Sequence, residues 1–173
     1  QTLSLMAGMV AHLGEAKAAE WVQGFTNNLA RAPKGGDTDQ LKAVAAGECA
    51  VALSNQYYYV RLLRSDKAED KAIVDKVAVL WPNQENRGVS MNISGGGVLK
   101  NAPHPANAVK FLEYLASDSA QAYFANGNNE WPVVTGVKFD NPARKWQSVR
   151  IPNDSPLGKE RGFQLHSVPQ PLL

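Results

Sequence analysis

Two five-residue apolar runs, Cys-Ala-Val-Ala-Leu at 49–53 and Val-Ala-Val-Leu-Trp at 77–81, constrain the fold of this chain more than any other feature. Each is too short for a helix and shows no polar alternation, which is the pattern of a strand buried on both faces. The segments around them have helical periodicity instead. Residues 2–13 and 15–30 predict two helices parted at Gly14, the second with Ala18, Trp21, Val22 and Phe25 on its inner face. Asp37, three positions before Gln40, opens a helix to about Glu48 in the manner of a capping box, with Leu41, Val44 and Ala45 inward and Gly47 at its end. Helices alternating with short buried strands define an α/β architecture with a mainly parallel sheet flanked by helices.

Further along, a helix from about Tyr57 to Ser65 follows the first apolar run, and 65–76 reads as a charged, solvated helix. After the second run, residues 89–100 have a strand pattern broken by Gly95, Gly96 and Gly97, and Pro105 opens a helix with Ala108, Phe111, Leu112 and Leu115 inward. A last helix spans about 118–126 up to Gly127, after which 132–173 reads as an extended wrap rich in proline and glycine. The 173 residues, 44% of them hydrophobic, are enough for a buried core, and no repeat is found. The net charge is +2 with no basic block, which points away from nucleic acid. Residues 3–14 are too short and too interrupted to span a bilayer, and they lack the basic leader of a secretory signal. The single cysteine, Cys49, is a small core residue in this reading.

The chemistry is concentrated in Ser54-Asn55-Gln56-Tyr57-Tyr58-Tyr59, which joins the first strand to its helix. In parallel sheets ligands gather at such strand ends, against helix N-termini. Phenolate oxygen is a hard anionic donor suited to a hard trivalent cation such as Fe(III), and the proton it must lose makes binding weaken as pH falls. Aromatic packing is the commoner fate of a tyrosine cluster. Neighbouring helical residues diverge by about 100°. Even so, Tyr57 and Tyr58, nearest the helix start, are the pair able to converge, whereas Tyr59 turns to packing. Asn55 is a helix cap or an anion holder. His12, His104 and His166 have no metal-ligand spacing, the glycines of 94–100 lack the order of a phosphate-binding loop, and no catalytic triad or nucleophile elbow is present.

Taken in order, EAKAAEWVQGFTNNLAR, GGDTDQLKAVAAGECAVALSNQYYY, RGVSMNISGGGVLKNAPHPANAVKFLEYLASDSAQAYFA and NEWPV resemble the bacterial periplasmic ferric-iron-binding proteins, transferrin-like receptors of iron ABC transporters. The match covers about residues 1–137, and its most specific part is Asn-x-Tyr-Tyr at 55–58. The resemblance implies a type II substrate-binding-protein fold of two lobes, with Fe(III) held in the cleft by Tyr57 and Tyr58, with carbonate or another synergistic anion. It places Asn55 and Asp37 at anion-binding or supporting positions; a carboxylate at 37 would repel phosphate. It also implies a binding protein, not an enzyme, that is periplasmic, monomeric when intact and delivers iron to an inner-membrane ABC permease. This chain would be the C-terminal portion, with 1–81 in the second lobe, 82–131 returning to the first and 132–173 a wrap of uncertain lobe. Alternatives are a receptor for an organic anion or other small solute, and an α/β enzyme using the tyrosines as acid-base groups.

Overall fold

The computed structural model describes residues 2–143, so the part of the C-terminal wrap from residue 144 onward, and His166 with it, lies outside the described residues. Seven helices are described: α1 (Thr2–Leu13), α2 (Glu15–Asn27), α3 (Asp37–Ala45), α4 (Gln56–Leu63), α5 (Ala68–Val74), α6 (Pro105–Leu115) and α7 (Asp118–Tyr123). A π-helical turn, Phe124–Asn128, continues α7.

Gly14 separates α1 from α2 as the glycine pattern predicts, and its φ of +79° is a left-handed conformation that glycine adopts without a Cβ clash. The two helices pack on each other through Met9 and Ala18. Helix α2 ends at Asn27 rather than 30, because the Asn28 N–H bonds back to Phe25 O and its side-chain amide donates to Gly24 O at 2.8 Å. Of its expected inner face only Ala18 is buried. Trp21 and Phe25 stack on each other, centroids 5.2 Å apart, and are 38% and 42% exposed.

The start of α3 differs in detail from the expected box. Gly36 is the N-cap, the Asp39 carboxylate accepts from Gly36 N–H at 2.8 Å, and Asp37 is left to face elsewhere. At the other end Gly47 N–H bonds to Val44 O and Glu48 N–H to Ala43 O, the paired closure of a Schellman motif. Helices α3, α4 and α5 pack together over Leu41, Ala43, Val60 and Leu62, the centre of the buried core. Pro105 opens α6, and the Ser117 hydroxyl caps α7 by accepting from Ala120 N–H at 3.3 Å. Phe111, expected inward, is 60% exposed, while Leu112 lies so close to Gly96 that a Cβ there would meet its methyl at 2.6 Å. Of the three glycines, Gly96 therefore serves a close approach of loop to helix, while Gly95 and Gly97 face open space.

The parallel sheet is the expectation that the described residues do not realise. Segments 49–53, 77–81 and 89–100 form no β-ladder among them. Val51 is 77% and Leu80 84% exposed. The physical reason is that a strand exists only with a neighbour to accept and donate its backbone bonds, and none of these runs has one within residues 2–143.

The contrast between helical core and unpaired runs is measurable by urea unfolding of the 173-residue chain. Leu62, 4% exposed, should cost about 2–5 kcal/mol when changed to alanine. Leu80→Ala, at an exposed position, should stay within about 0.5 kcal/mol.

Candidate metal centre

The tyrosines are placed by a contact between two helix starts. Asp37 occupies the first position of α3, and its Oδ2 accepts three bonds from the residues before α4: Asn55 N–H at 2.7 Å, Asn55 Nδ2–H at 2.9 Å and the Ser54 hydroxyl at 3.3 Å. Asn55 is the N-cap residue of α4, with extended backbone at φ −75° and ψ 140°. Its side chain does not cap the helix as the sequence reading allowed. The amide is drawn to Asp37 because a bond to a carboxylate is stronger than one to a neutral acceptor. Asp37 thereby fixes the residue from which α4 begins.

Tyr57 and Tyr58 follow in the first turn. Their rings meet at a centroid separation of 4.2 Å and a tilt of 31°, so two side chains that start out diverging are brought side by side. Both are half-buried. The Arg61 guanidinium, one turn on, lies over the Tyr58 ring at 5.3 Å from its centroid, a cation–π contact that holds the ring from the opposite end of the turn. Tyr59 leaves in another direction, and its hydroxyl donates to Val77 O at 3.2 Å, tying α4 to the second apolar run. The divergence expected of the third tyrosine is present.

Several polar residues around this helix escape a reading of the sequence. Gln56 donates from Nε2 to Asn129 O at 2.8 Å, and its buried Oε1 has no hydrogen-bond partner among the described residues. Arg64, the C-cap residue, donates to Asn129 Oδ1 at 2.6 Å and to Asn126 O. These partners are more than 60 residues away in the chain, and no local signal marks them. Arg61 was discoverable, because a cation three positions after an aromatic residue on a helix shares its face. The histidines stay apart: His12 is in α1 and His104 precedes α6. No group of three or more His, Cys, Asp or Glu able to hold a metal is found among the described residues, and no described helix is long and apolar enough to cross a membrane.

Known proteins share this arrangement of elements. A Trichodesmium protein solved in complex with iron and citrate ligands superposes with a TM-score of 0.80 at 49% identity, covering 91% of this chain and 51% of that one. Apo FutA2 from Synechocystis gives 0.82 at 47%, covering 92% and 52%. In sequence, the chain is 51% identical over 140 residues to iron uptake protein A2 of Synechocystis, 80% of this chain and 40% of that protein. It is 27% identical over 167 residues to the major ferric iron-binding protein of Neisseria meningitidis. The chain spans about two-fifths to one-half of the length of these relatives. Its fold class is that of the type II solute-binding proteins, as expected from sequence. Residues 6–150 match the family described as bacterial extracellular solute-binding protein, and the chain belongs to that family.

Proposed function

We propose that this chain is part of a periplasmic Fe(III)-binding receptor of an iron ABC importer, in which Tyr57 and Tyr58 ligate the ferric ion as phenolates. The observation that carries the reading is the side-by-side seating of the two rings at the start of α4, 4.2 Å apart, on a helix whose first residue is anchored by a carboxylate. Two hard oxygen donors on one turn form a partial shell for a hard trivalent ion. Support comes from relatives named for iron uptake and ferric binding, and from a similar Trichodesmium protein solved with iron and citrate ligands. Binding, and not catalysis, is the role consistent with a solute-binding family.

Within this reading Asn55 holds carbonate or another small anion beside the iron, and Asp37 supports it by fixing both its backbone N–H and its side-chain amide. Arg61 steadies Tyr58 and adds positive charge near two phenolates. In this reading residues 1–81 are the second lobe and 82–131 return to the first, so that the Gln56–Asn129 bond joins the two segments. The remaining ligands and the permease partner lie with the whole receptor.

A phenol ionises near pH 10 in water, so each ligand bond to iron displaces a proton. Iron affinity should therefore fall as pH falls. Addition of ferric citrate to the intact receptor should produce a purple-red tyrosinate-to-iron absorption band, lost in the Tyr57→Phe, Tyr58→Phe double variant; an intact receptor that stays colourless would refute the proposal. Calorimetric binding of an organic anion in the absence of any band would favour a receptor for that solute instead. Asp37→Ala leaves the Asn55 donors without their acceptor and should lower unfolding stability by about 1–3 kcal/mol. Asp37→Asn, which keeps one acceptor oxygen, should lose less, as read from the urea midpoint.

A further inference from the structure

Helix α4, which carries the tyrosine pair, is held at both ends by one short turn of distant chain. Gln56 is its first residue and Arg64 its C-cap, and both donate to Asn129: Gln56 Nε2 to the backbone oxygen at 2.8 Å, Arg64 to the side-chain oxygen at 2.6 Å. Arg64 also donates to Asn126 O. Asn129 is 5% exposed and has a left-handed backbone, φ 64° and ψ 24°, a conformation that asparagine tolerates better than most residues. It ends the π turn that follows α7.

This turn is itself fastened from its other side. Asn126 Oδ1 accepts from Asp140 N–H at 2.8 Å, Asn141 Nδ2 donates to Ala125 O, and Asn141 Oδ1 accepts from Ala143 N–H at 2.7 Å. Helix ends leave carbonyls without intrahelical partners. Here three of the oxygens in and just after the turn, those of Ala125, Asn126 and Asn129, are taken by side chains from outside it. The result is a polar clasp of fixed geometry whose outward face grips α4.

We infer that Arg64 and Asn129 are positioning residues for the iron ligands, a role that rests on the proposed function of Tyr57 and Tyr58. Asp37 fixes the entry to the helix and Tyr59 ties it to Val77, and the bonds to Asn129 add a restraint at both ends. Two bonds from opposite ends of the same helix to one buried residue resist rotation about its axis. Side-chain tips lie roughly 6 Å from a helix axis, so a turn of about 10° displaces a phenol oxygen by about 1 Å. A metal shell must be held to within about 0.5 Å to work well. The clasp therefore governs how well the two phenolates converge on one ion, and it ties that convergence to the segment that follows α7.

The test uses the full chain loaded with ferric citrate, comparing wild type with Arg64→Met, Arg64→Lys and Asn129→Gly. Met keeps the apolar stem and removes the donors; Gly keeps the left-handed backbone and removes only the side-chain acceptor. Competition against citrate should show Arg64→Met binding iron at least tenfold more weakly, with faster iron release and a displaced tyrosinate-to-iron absorption maximum. Asn129→Gly should change in the same direction, and Arg64→Lys should recover part of the affinity. Unfolding curves identify variants that fail to fold, and Asn129→Gly remains the deciding variant if Arg64→Met is one of them. Wild-type affinity, release rate and absorption maximum in a folded variant lacking the clasp would overturn the inference while leaving the ligand assignment intact. A wild-type chain without any band would overturn both, through the ligands.

Discussion

The bond set at Asp37 Oδ2 is the constraint from which the rest of the site follows. A single carboxylate oxygen gathers the backbone N–H and side-chain amide of Asn55 and the hydroxyl of Ser54, and so joins the start of α3 to the start of α4 across 17 and 18 residues of sequence. Charge-assisted bonds of this kind are about twice as strong as neutral ones. Without them α4 would have an ordinary entry, free to begin a residue earlier or later. A slip by one position turns every side chain on a helix by about 100°. Asp37 thus anchors the start of α4, in whose first turn Tyr57 and Tyr58 lie with their rings in contact.

Around that anchor the structure restrains α4 in three further directions. Val60 and Leu62 are buried where α4 packs with α3 and α5, Tyr59 ties it to Val77, and Arg64 with Gln56 ties its ends to the turn after α7. Apolar burial supplies stability but little direction, because packed methyl groups tolerate modest rotation. The polar bonds supply the direction. A helix of eight residues is marginal alone, so these tertiary contacts explain both its existence and its exact placement.

What was legible in the sequence follows the range of the interactions. The break at Gly14, the helix opening at Asp37, the closing glycine at 47 and Pro105 at the head of α6 are local signals, and each is found at its expected place. Tyr57 and Tyr58 share the first turn of α4, as their place after Asn55 implies, and their rings are in contact. The carboxylate of Asp37 was read as a cap or an anion neighbour, because nothing local announces that its partners are Ser54 and Asn55. The clasp at Asn129 was invisible for the same reason, with 65 residues between Arg64 and its acceptor. The apolar runs at 49–53 and 77–81 have the length and pattern of buried strands, but pairing is a property of the neighbour as much as of the run.

The central claim is that the two phenolate oxygens of Tyr57 and Tyr58 share one ferric ion. Anomalous diffraction at the iron edge from crystals of the iron-loaded protein measures this most directly. The account predicts a single strong peak within bonding distance of both tyrosine oxygens. A peak elsewhere, or one that touches neither phenol, would contradict it.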